Sequence, residues 1–195
     1  PMHVGEVLIF QAPTGGFDYD RLVTLIRRRI AFVPRYRQRV RWVPGGLANP
    51  VWVDDQDFDV AFHVRRSALP SPGTEAQLRD LAARIMSRPL DRSRPLWEVY
   101  LVEGLEGGRF AILTKAHHAM IDGAAAVDIA QVLLDPSPDH KPTPDLHWNP
   151  PQAPSGGAVA KSASAKASRA RQPRAPARRP PGRTAAHHLR SGAGP

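Results

Sequence analysis

A pair of histidines marks the point where the apolar pattern of the chain changes from that of a strand to that of a helix. Residues 109–115 carry a continuous apolar run that predicts a strand leading into His117-His118. Residues 123–134 predict a helix, because their aliphatic residues recur at the spacing of one helical face. The sequence therefore places two imidazoles at the end of a strand, directly ahead of a helix.

This position suits two roles. Histidine has an unperturbed pKa close to neutral pH, which favours general acid–base catalysis. A histidine at a strand end is nevertheless more often a hydrogen-bonded structural residue, so the motif is only a hypothesis. Asp122 follows His118 by four residues, and an aspartate near the start of a helix normally caps it. A capped, immobile turn is also what a catalytic histidine requires, so both interpretations stand.

Residues 117–123, His-His-Ala-Met-Ile-Asp-Gly, resemble the HHxxxDG signature of acyl-CoA-dependent acyltransferases. Pro95-Leu96-Trp97 resembles the PLW motif of one branch, the bacterial wax ester synthase/diacylglycerol acyltransferases. Peptide-synthetase condensation domains share the first signature, whereas the two motifs together are specific to this branch. The resemblance runs from about residue 1 to residue 150 and includes the phrases at residues 2–5, 88–98 and 101–105.

The resemblance implies an α/β (α+β) fold, the N-terminal half of a chloramphenicol-acetyltransferase-like acyltransferase with a mixed sheet flanked by helices. It implies transfer of a fatty acyl group from acyl-CoA to diacylglycerol or to a long-chain alcohol. Acyl-CoA is then a co-substrate, and no cofactor or metal is expected. A condensation-type enzyme that uses carrier-protein thioesters and a non-catalytic interaction protein are the alternatives.

Site roles also follow from the resemblance. It assigns the general base to His118, and His117 then supports the tautomer of its neighbour or packs behind it. Adjacent residues that leave a strand point to opposite sides, so both rings cannot serve one substrate. Asp122 is expected to bridge to an arginine, for which Arg94 is a guess, and Gly123 allows close backbone approach.

The PLW motif has two interpretations. Pro95 fixes the local backbone and Trp97 can bury a large area. Pro95, Leu96 and Trp97 can therefore shape the wall of the active site, or Trp97 can be a core aromatic with no other role.

The remaining pattern predicts the rest of the fold. Residues 4–10 predict a first strand, in which residues 7–10 are too continuously apolar for an exposed edge. Asp18 or Asp20 can cap a helix, residues 51–53 and 58–64 predict strands, and Thr74 with Gln77 predicts a capping box. Residues 106–109 predict a hairpin turn. His63 alternates away from the apolar face of its predicted strand, which indicates a surface or sheet-packing residue.

Basic residues are prominent in two places. Arg35, Arg37, Arg39 and Arg41 alternate with other residues and predict an extended row. Such a row is usually a solvated face, so no nucleic acid partner is expected, although the row could attract the phosphates of coenzyme A. Residues 151–195 contain 9 of the 27 basic residues and no acidic residue, so this tail carries the whole net charge of +9.

Composition predicts two parts. Residues 1–140 form the acyltransferase half-domain, and residues 141–195 form a proline-rich linker and a disordered basic tail, because that segment has too little apolar surface to offset its ordering entropy. Family members continue into a second half-domain here. We therefore expect a truncated or frameshifted form, whose activity without the C-terminal half is in doubt. The rival expectation is a genuine basic tail that binds anionic lipid or nucleic acid.

Cellular location is constrained only weakly. The chain has no cysteine, which is compatible with a reducing cytoplasm. It has no run of about 20 apolar residues and no secretion signal at its start. A cytoplasmic protein is expected, with peripheral contact to the inner membrane or lipid bodies suggested only by the kind of substrate.

Overall fold

A four-stranded mixed sheet with helices on both faces forms the centre of the computed structural model, which describes residues 2–43, 49–121 and 129–134. The strands are β1 (His3–Gln11), β2 (Gln38–Arg41), β3 (Val51–Asp54), β4 (Val64–Ala68), β5 (Trp97–Leu105) and β6 (Arg109–His117). The helices are α1 (Tyr19–Ile30), α2 (Val60–His63), α3 (Glu75–Ser87), α4 (His118–Ile121) and α5 (Ile129–Leu133). The main sheet has the order β1-β6-β5-β4, and β2 and β3 form a separate antiparallel ribbon.

Strands β5 and β6 occupy the middle of the main sheet and bury both faces. The buried hydrophobic residues form two clusters, one on each face of the sheet. Leu101 and Ile112 pack with α1 in the larger cluster. Their neighbours in sequence, Val102 and Ala111, pack with Leu78 of α3 in the smaller cluster. Successive strand residues point to opposite faces, so a continuously apolar segment is required here. This accounts for the unbroken apolar run that predicts β6.

The predicted hairpin and the starts of the first two predicted helices are confirmed. A short 3₁₀ turn, Glu106–Gly108, joins β5 to β6. The Asp18 carboxylate accepts from the Arg21 N–H at 2.9 Å and caps α1. At α3, Thr74 and Gln77 form a reciprocal capping box. Helix α3 then links β4 to β5, which run parallel and so require a crossover connection.

The prediction that the first strand lies away from an exposed edge is wrong. Within the described residues, β1 pairs with β6 alone and forms the edge of the sheet. Val7 and Ile9 are 42% and 40% exposed. The strand is apolar on both faces, yet α3 reaches it only near its start, where Gly5 lies against Met86. Periodicity cannot show which side chains a partner covers.

The predicted strand over residues 58–64 is also wrong. Asp59 caps the short helix α2, with its side chain accepting from the Ala61 N–H at 2.9 Å, and the strand begins only at Val64. The local cap therefore overrides the alternating pattern. His63 consequently lies in the core with 1% of its surface exposed, so the surface alternative for this residue is excluded.

The arginine row is not a continuous extended face. Residues Pro34–Arg37 form a 3₁₀ turn, and only Gln38–Arg41 is a strand. Arg37 is buried, Arg39 forms an ion pair with Asp55 at 3.7 Å, and Arg35 lies over the Trp52 ring at 4.4 Å. The predicted single row of four like charges is therefore broken up by local packing.

Other predictions fall wholly or partly outside the described residues. The helix predicted over residues 123–134 is seen only as α5, and a short helix already begins at His118. Asp122, Gly123 and the predicted tail over residues 141–195 lie outside the described ranges. No helix within those ranges is long and apolar enough to cross a bilayer.

Candidate active site at the end of strand β6

The backbone of the histidine pair is anchored on both sides. The His117 N–H donates to the Leu96 carbonyl at 2.9 Å, and the His118 N–H donates to the Met2 carbonyl at 2.8 Å. The first bond ties the pair to the PLW segment, and the second ties it to the residue before β1. Backbone groups that are paired in this way cannot shift without losing a hydrogen bond, so the junction between β6 and α4 is fixed.

His117 has a half-buried ring with a defined polar contact. The Ala119 N–H donates to its Nδ1 at 3.2 Å, which satisfies one of the free donors in the first turn of α4. Burial lowers the pKa of His117, and the nearby charges of His3 and Arg92 lower it further. Because Nδ1 accepts a bond, the neutral ring carries its proton on Nε2.

His118 has a different environment. Its side chain is exposed at the first position of α4. The two adjacent rings therefore lie in separate surroundings, as expected for consecutive residues that leave a strand.

An open cavity of about 290 Å³ adjoins His117. It lies between the strand end and the β2–β3 ribbon, and its lining comprises Val40, Trp42, Pro50, Val51, Trp52, Arg92, Leu96, His117 and Ala119. The lining is predominantly apolar, with His117 and Arg92 as its two titratable side chains. Of the two rings, His117 borders this cavity and His118 does not.

The three PLW residues have different positions. Pro95 is buried, and Leu96 lines the cavity while its carbonyl anchors His117. Trp97 is fully buried, and its Nε1–H donates to the Tyr36 carbonyl at 2.8 Å. Trp97 is therefore a core aromatic, as one of the two interpretations held, and Leu96 supplies the wall.

His63 is a structural histidine, as the packing alternative of the sequence analysis predicted. Its ring stacks on Trp97 at a centroid distance of 4.5 Å, and its Nδ1–H donates to the Trp97 carbonyl at 2.8 Å. Its Nε2 is buried without a hydrogen-bond partner. Burial lowers its pKa to about 4, against the smaller opposing effect of the bond to Trp97. His63 thus remains neutral and packs the PLW segment from behind.

Lys115 is a structural residue that the sequence analysis did not predict. It is fully buried, and its Nζ donates to the Ile85 carbonyl at 2.7 Å and to the Arg88 carbonyl. These carbonyls lie at the C-terminal end of α3, where helix carbonyls lack internal partners and cations are favoured. Burial lowers the pKa of Lys115. A lysine within an otherwise apolar strand was the available signal for this contact.

The partner of Asp122 is not among the described contacts. Arg94, the guess for that partner, lies over the Phe62 ring at 4.2 Å. In the described ranges, no three His, Asp or Glu side chains are grouped in a way that could hold a metal ion.

Solved structures share this fold. The first condensation domain of the CDA synthetase superposes with a TM-score of 0.50 over 63% of this chain and 30% of that domain, at 22% identity. At that identity the match shows the fold alone. The protein has the mixed α/β fold of chloramphenicol-acetyltransferase-like acyltransferases, with the histidine pair at the end of a central strand.

A narrower relationship comes from the sequence. The wax ester synthase/diacylglycerol acyltransferase catalytic domain matches residues 1–189, and the chain belongs to this family. The probable diacylglycerol O-acyltransferase tgs3 of Mycobacterium tuberculosis is 51% identical over 154 residues, which is 79% of this chain and 57% of that protein.

A solved structure supports the same assignment. The wax ester synthase/diacylglycerol acyltransferase of Marinobacter aquaeolei VT8 is 35% identical, with a TM-score of 0.59 over 89% of this chain and 43% of that one. The chain thus spans about half the length of these relatives.

Proposed function

We propose that this chain supplies the histidine half of an O-acyltransferase that moves a fatty acyl group from acyl-CoA to diacylglycerol or a long-chain alcohol. The observation that carries the proposal is the exposed ring of His118, anchored through its backbone at the end of β6, in a member of this family. An exposed ring on a fixed backbone is accessible to a substrate and held in position, which a general base requires.

His118 is the proposed general base. It takes the proton from the acceptor hydroxyl while that oxygen attacks the thioester carbonyl and forms the new C–O bond. The C–S bond then breaks, and the proton passes from His118 to the leaving thiolate. The acyl group goes directly to the acceptor, so no covalent enzyme intermediate and no cofactor are needed. A positioned general base contributes about 10²–10⁴-fold to the rate.

The neighbouring residues position this base. The Leu96 carbonyl and the acceptor Nδ1 of His117 fix the turn between β6 and α4. We assign Asp122 to holding the following loop and Gly123 to close backbone approach. Pro95 and Trp97 support Leu96 from the core. Catalysis needs a second wall for the substrate channel, and we propose that the C-terminal half-domain of longer relatives provides it.

The lipid nature of the substrates sets the proposed location. Diacylglycerol and long-chain alcohols reside in membranes and lipid bodies, so a cytoplasmic enzyme must contact those surfaces at least transiently. We therefore propose peripheral contact with the inner membrane or with lipid bodies, and no nucleic acid partner.

The test compares two adjacent substitutions in a complete catalytic domain. Residues 1–134 of this chain replace the matching segment of the Marinobacter aquaeolei VT8 protein, because the two chains superpose with a TM-score of 0.59 and this chain covers only 43% of that protein, so the remainder supplies the second half. Ester formation is measured with radiolabelled acyl-CoA and diacylglycerol or hexadecanol. We expect His118→Asn to lower kcat by about 10²–10⁴-fold and His117→Asn to lower it much less.

Three outcomes oppose the proposal. Equal activity of His118→Asn and the unsubstituted chimera would remove His118 as the base. Turnover only with a carrier-protein thioester would indicate condensation chemistry instead, and no turnover with any acyl donor would indicate an interaction protein. Circular dichroism of each variant shows whether a loss reflects unfolding. The 195-residue chain assayed alone is expected to be weak or inactive.

A further inference from the structure

We propose that Lys115 is a positioning residue that holds the connection between α3 and β5 against the end of β6. This inference rests on the proposed function, because it names what keeps the turn of the general base in place. The α3–β5 connection consists of residues 88–96 and includes the first two residues of the PLW motif. Lys115 acts on the reaction only through this connection and does not touch the substrates.

The α3–β5 connection is attached to β6 at both of its ends. The Nζ of Lys115 donates to the carbonyl of Arg88, the first residue of the connection. The carbonyl of Leu96, its last residue, accepts from the His117 N–H at 2.9 Å. Residues 88–96 form neither a helix nor a strand. Their path therefore depends on these two attachments and on the packing of their own side chains.

The two attachments lie on the same face of the sheet. Lys115 and His117 are two residues apart on one strand, so their side chains point the same way. Lys115 also donates to the Ile85 carbonyl at 2.7 Å. The Nδ1 of His3, which pairs with His117, lies 3.4 Å from the Met86 carbonyl. The last turn of α3 and the start of the connection are thus bound to the strand beside the histidine pair.

A cation is an expensive choice for this position. Lys115 is fully buried, and an ammonium loses its hydration when it is buried. Burial lowers its pKa, and the charges of Arg88 and Arg65 oppose the favourable charge of Glu98. Replacement of a buried charge by an apolar side chain of similar size often leaves stability unchanged. Stability alone therefore does not account for the lysine, whereas its two directed bonds to carbonyls do.

The connection brings Arg92 to the site. Arg92 and His117 line the same cavity. Burial lowers the pKa of His117, and the charges of His3, Arg92 and His118 lower it further. Loss of the attachment to Lys115 would let the connection move away from the ring. Weaker burial and a weaker field from Arg92 would then both raise the pKa of His117, which makes this pKa a measure of the position of the connection.

A histidine titration measures this position directly. The whole chain is labelled with ¹⁵N-histidine and titrated by NMR, and His117→Asn identifies the signal of this residue among the 8 histidines. We expect Lys115→Met to raise the pKa of His117. We expect Arg92→Gln to raise it in the unsubstituted chain and to have little further effect when Lys115→Met is already present, because the two residues act through the same connection.

Chemical modification separates the charge of Lys115 from its volume. The chain has no cysteine, so Lys115→Cys supplies a single alkylation site. Alkylation in urea with 2-bromoethylamine restores an ammonium, and alkylation with 1-iodopropane gives a neutral side chain of the same length. After refolding, which circular dichroism checks, we expect only the aminoethyl form to restore the pKa of His117. Equal recovery with the propyl form would overturn the inference, because volume alone would then suffice.

Kinetics test the consequence for the reaction. Misplacement of a reacting group by about 1 Å can lower a rate by about 10²-fold. In the chimera described above, we expect Lys115→Met to lower kcat by about 10- to 100-fold without a matching change in KM. Arg109→Met is the matched control. Arg109 lies at the opposite end of β6 and donates to Glu75 at the start of α3 at 3.1 Å, so it links the same two elements away from the site.

Two further results would overturn the inference. An unchanged pKa of His117 in Lys115→Met would show that Lys115 does not hold the connection, even if kcat fell. Equal effects of Lys115→Met and Arg109→Met would indicate a general loosening of α3 from the sheet. The titration needs no turnover, so the position of the connection is tested whether or not His118 is the base. A normal kcat in His118→Asn together with the expected pKa shifts would reject the proposed base and retain the attachment through Lys115.

Discussion

His63 and His118 each lie at one end of a four-residue helix beside the main sheet, but the fold gives them opposite environments. His63 ends α2, is 1% exposed and stacks on Trp97, whereas His118 begins α4 and is exposed. Burial holds His63 neutral, and its one strong hydrogen bond is to the backbone of Trp97. The comparison shows that a histidine's surroundings, and not its residue type, decide whether it can exchange protons with a ligand.

The two environments are joined through the PLW segment. His63 packs against Trp97. Leu96, which precedes Trp97 in the chain, anchors the backbone of His117 through its carbonyl. The buried side of this segment therefore holds the exposed side in place. Substitutions of the buried residues and of the exposed histidine therefore test whether His63 and Trp97 act in packing and His118 in chemistry.

The largest effect on stability is expected from Trp97→Ala. The change removes a fully buried indole together with its hydrogen bond to the Tyr36 carbonyl. Loss of a large buried aromatic costs about 3–5 kcal/mol in free energy of unfolding. Urea unfolding followed by circular dichroism measures it.

Trp42→Ala is the matched control for this change, because Trp42 is 68% exposed. Its effect on the free energy of unfolding should be within about 0.5 kcal/mol. Similar losses for the two tryptophans would show that Trp97 is not the packing centre of the PLW segment.

A smaller effect is expected from protonation of His63. Its pKa is lowered from 6.5 to about 4, so between these values the unfolded chain binds more protons than the folded one. Stability is therefore complete above pH 6.5 and falls as the pH drops toward 4, by about 3 kcal/mol in total. The charged groups around this ring include Arg94, Glu98, Arg65 and Asp91.

His63→Asn isolates this contribution, because asparagine can still donate to the Trp97 carbonyl but does not titrate. Unfolding free energies of both proteins are measured from pH 7.5 to pH 4. The free energy of unfolding of His63→Asn, relative to that of the unsubstituted chain, should increase as the pH falls. A difference that stays constant with pH would mean that His63 does not titrate between these limits.

Local signals predicted some of these features and missed others. The apolar run of β6 is visible in the sequence, the hairpin and the capping box of α3 involve residues close in sequence, and all three are confirmed. The burial of His63 depends on Trp97, which is 34 residues away. The open edge at β1 likewise depends on which elements cover the sheet. Tertiary contacts of this kind leave no periodic trace in the sequence.

The candidate site divides in the same way. The histidine pair and the PLW residues were recognisable as motifs, and the structure brings His117 and Leu96 into contact. The cavity was not predictable, because Trp52 of the separate β2–β3 ribbon and Trp42, the residue after β2, line it. The position of Lys115 under α3 also required the folded backbone, since its partners are carbonyls and not side chains.

The smallest effect is expected from His118→Gln on stability. The ring is exposed, and its backbone N–H, which donates to the Met2 carbonyl, is unchanged by the substitution. Surface changes away from packed features alter the free energy of unfolding by about 0.5 kcal/mol or less. His63→Gln, the same change in the buried environment, should cost clearly more. If His118→Gln were the more destabilising of the two in urea unfolding at pH 7.5, the exposed histidine would be a structural residue, and the contrast on which its catalytic assignment depends would disappear.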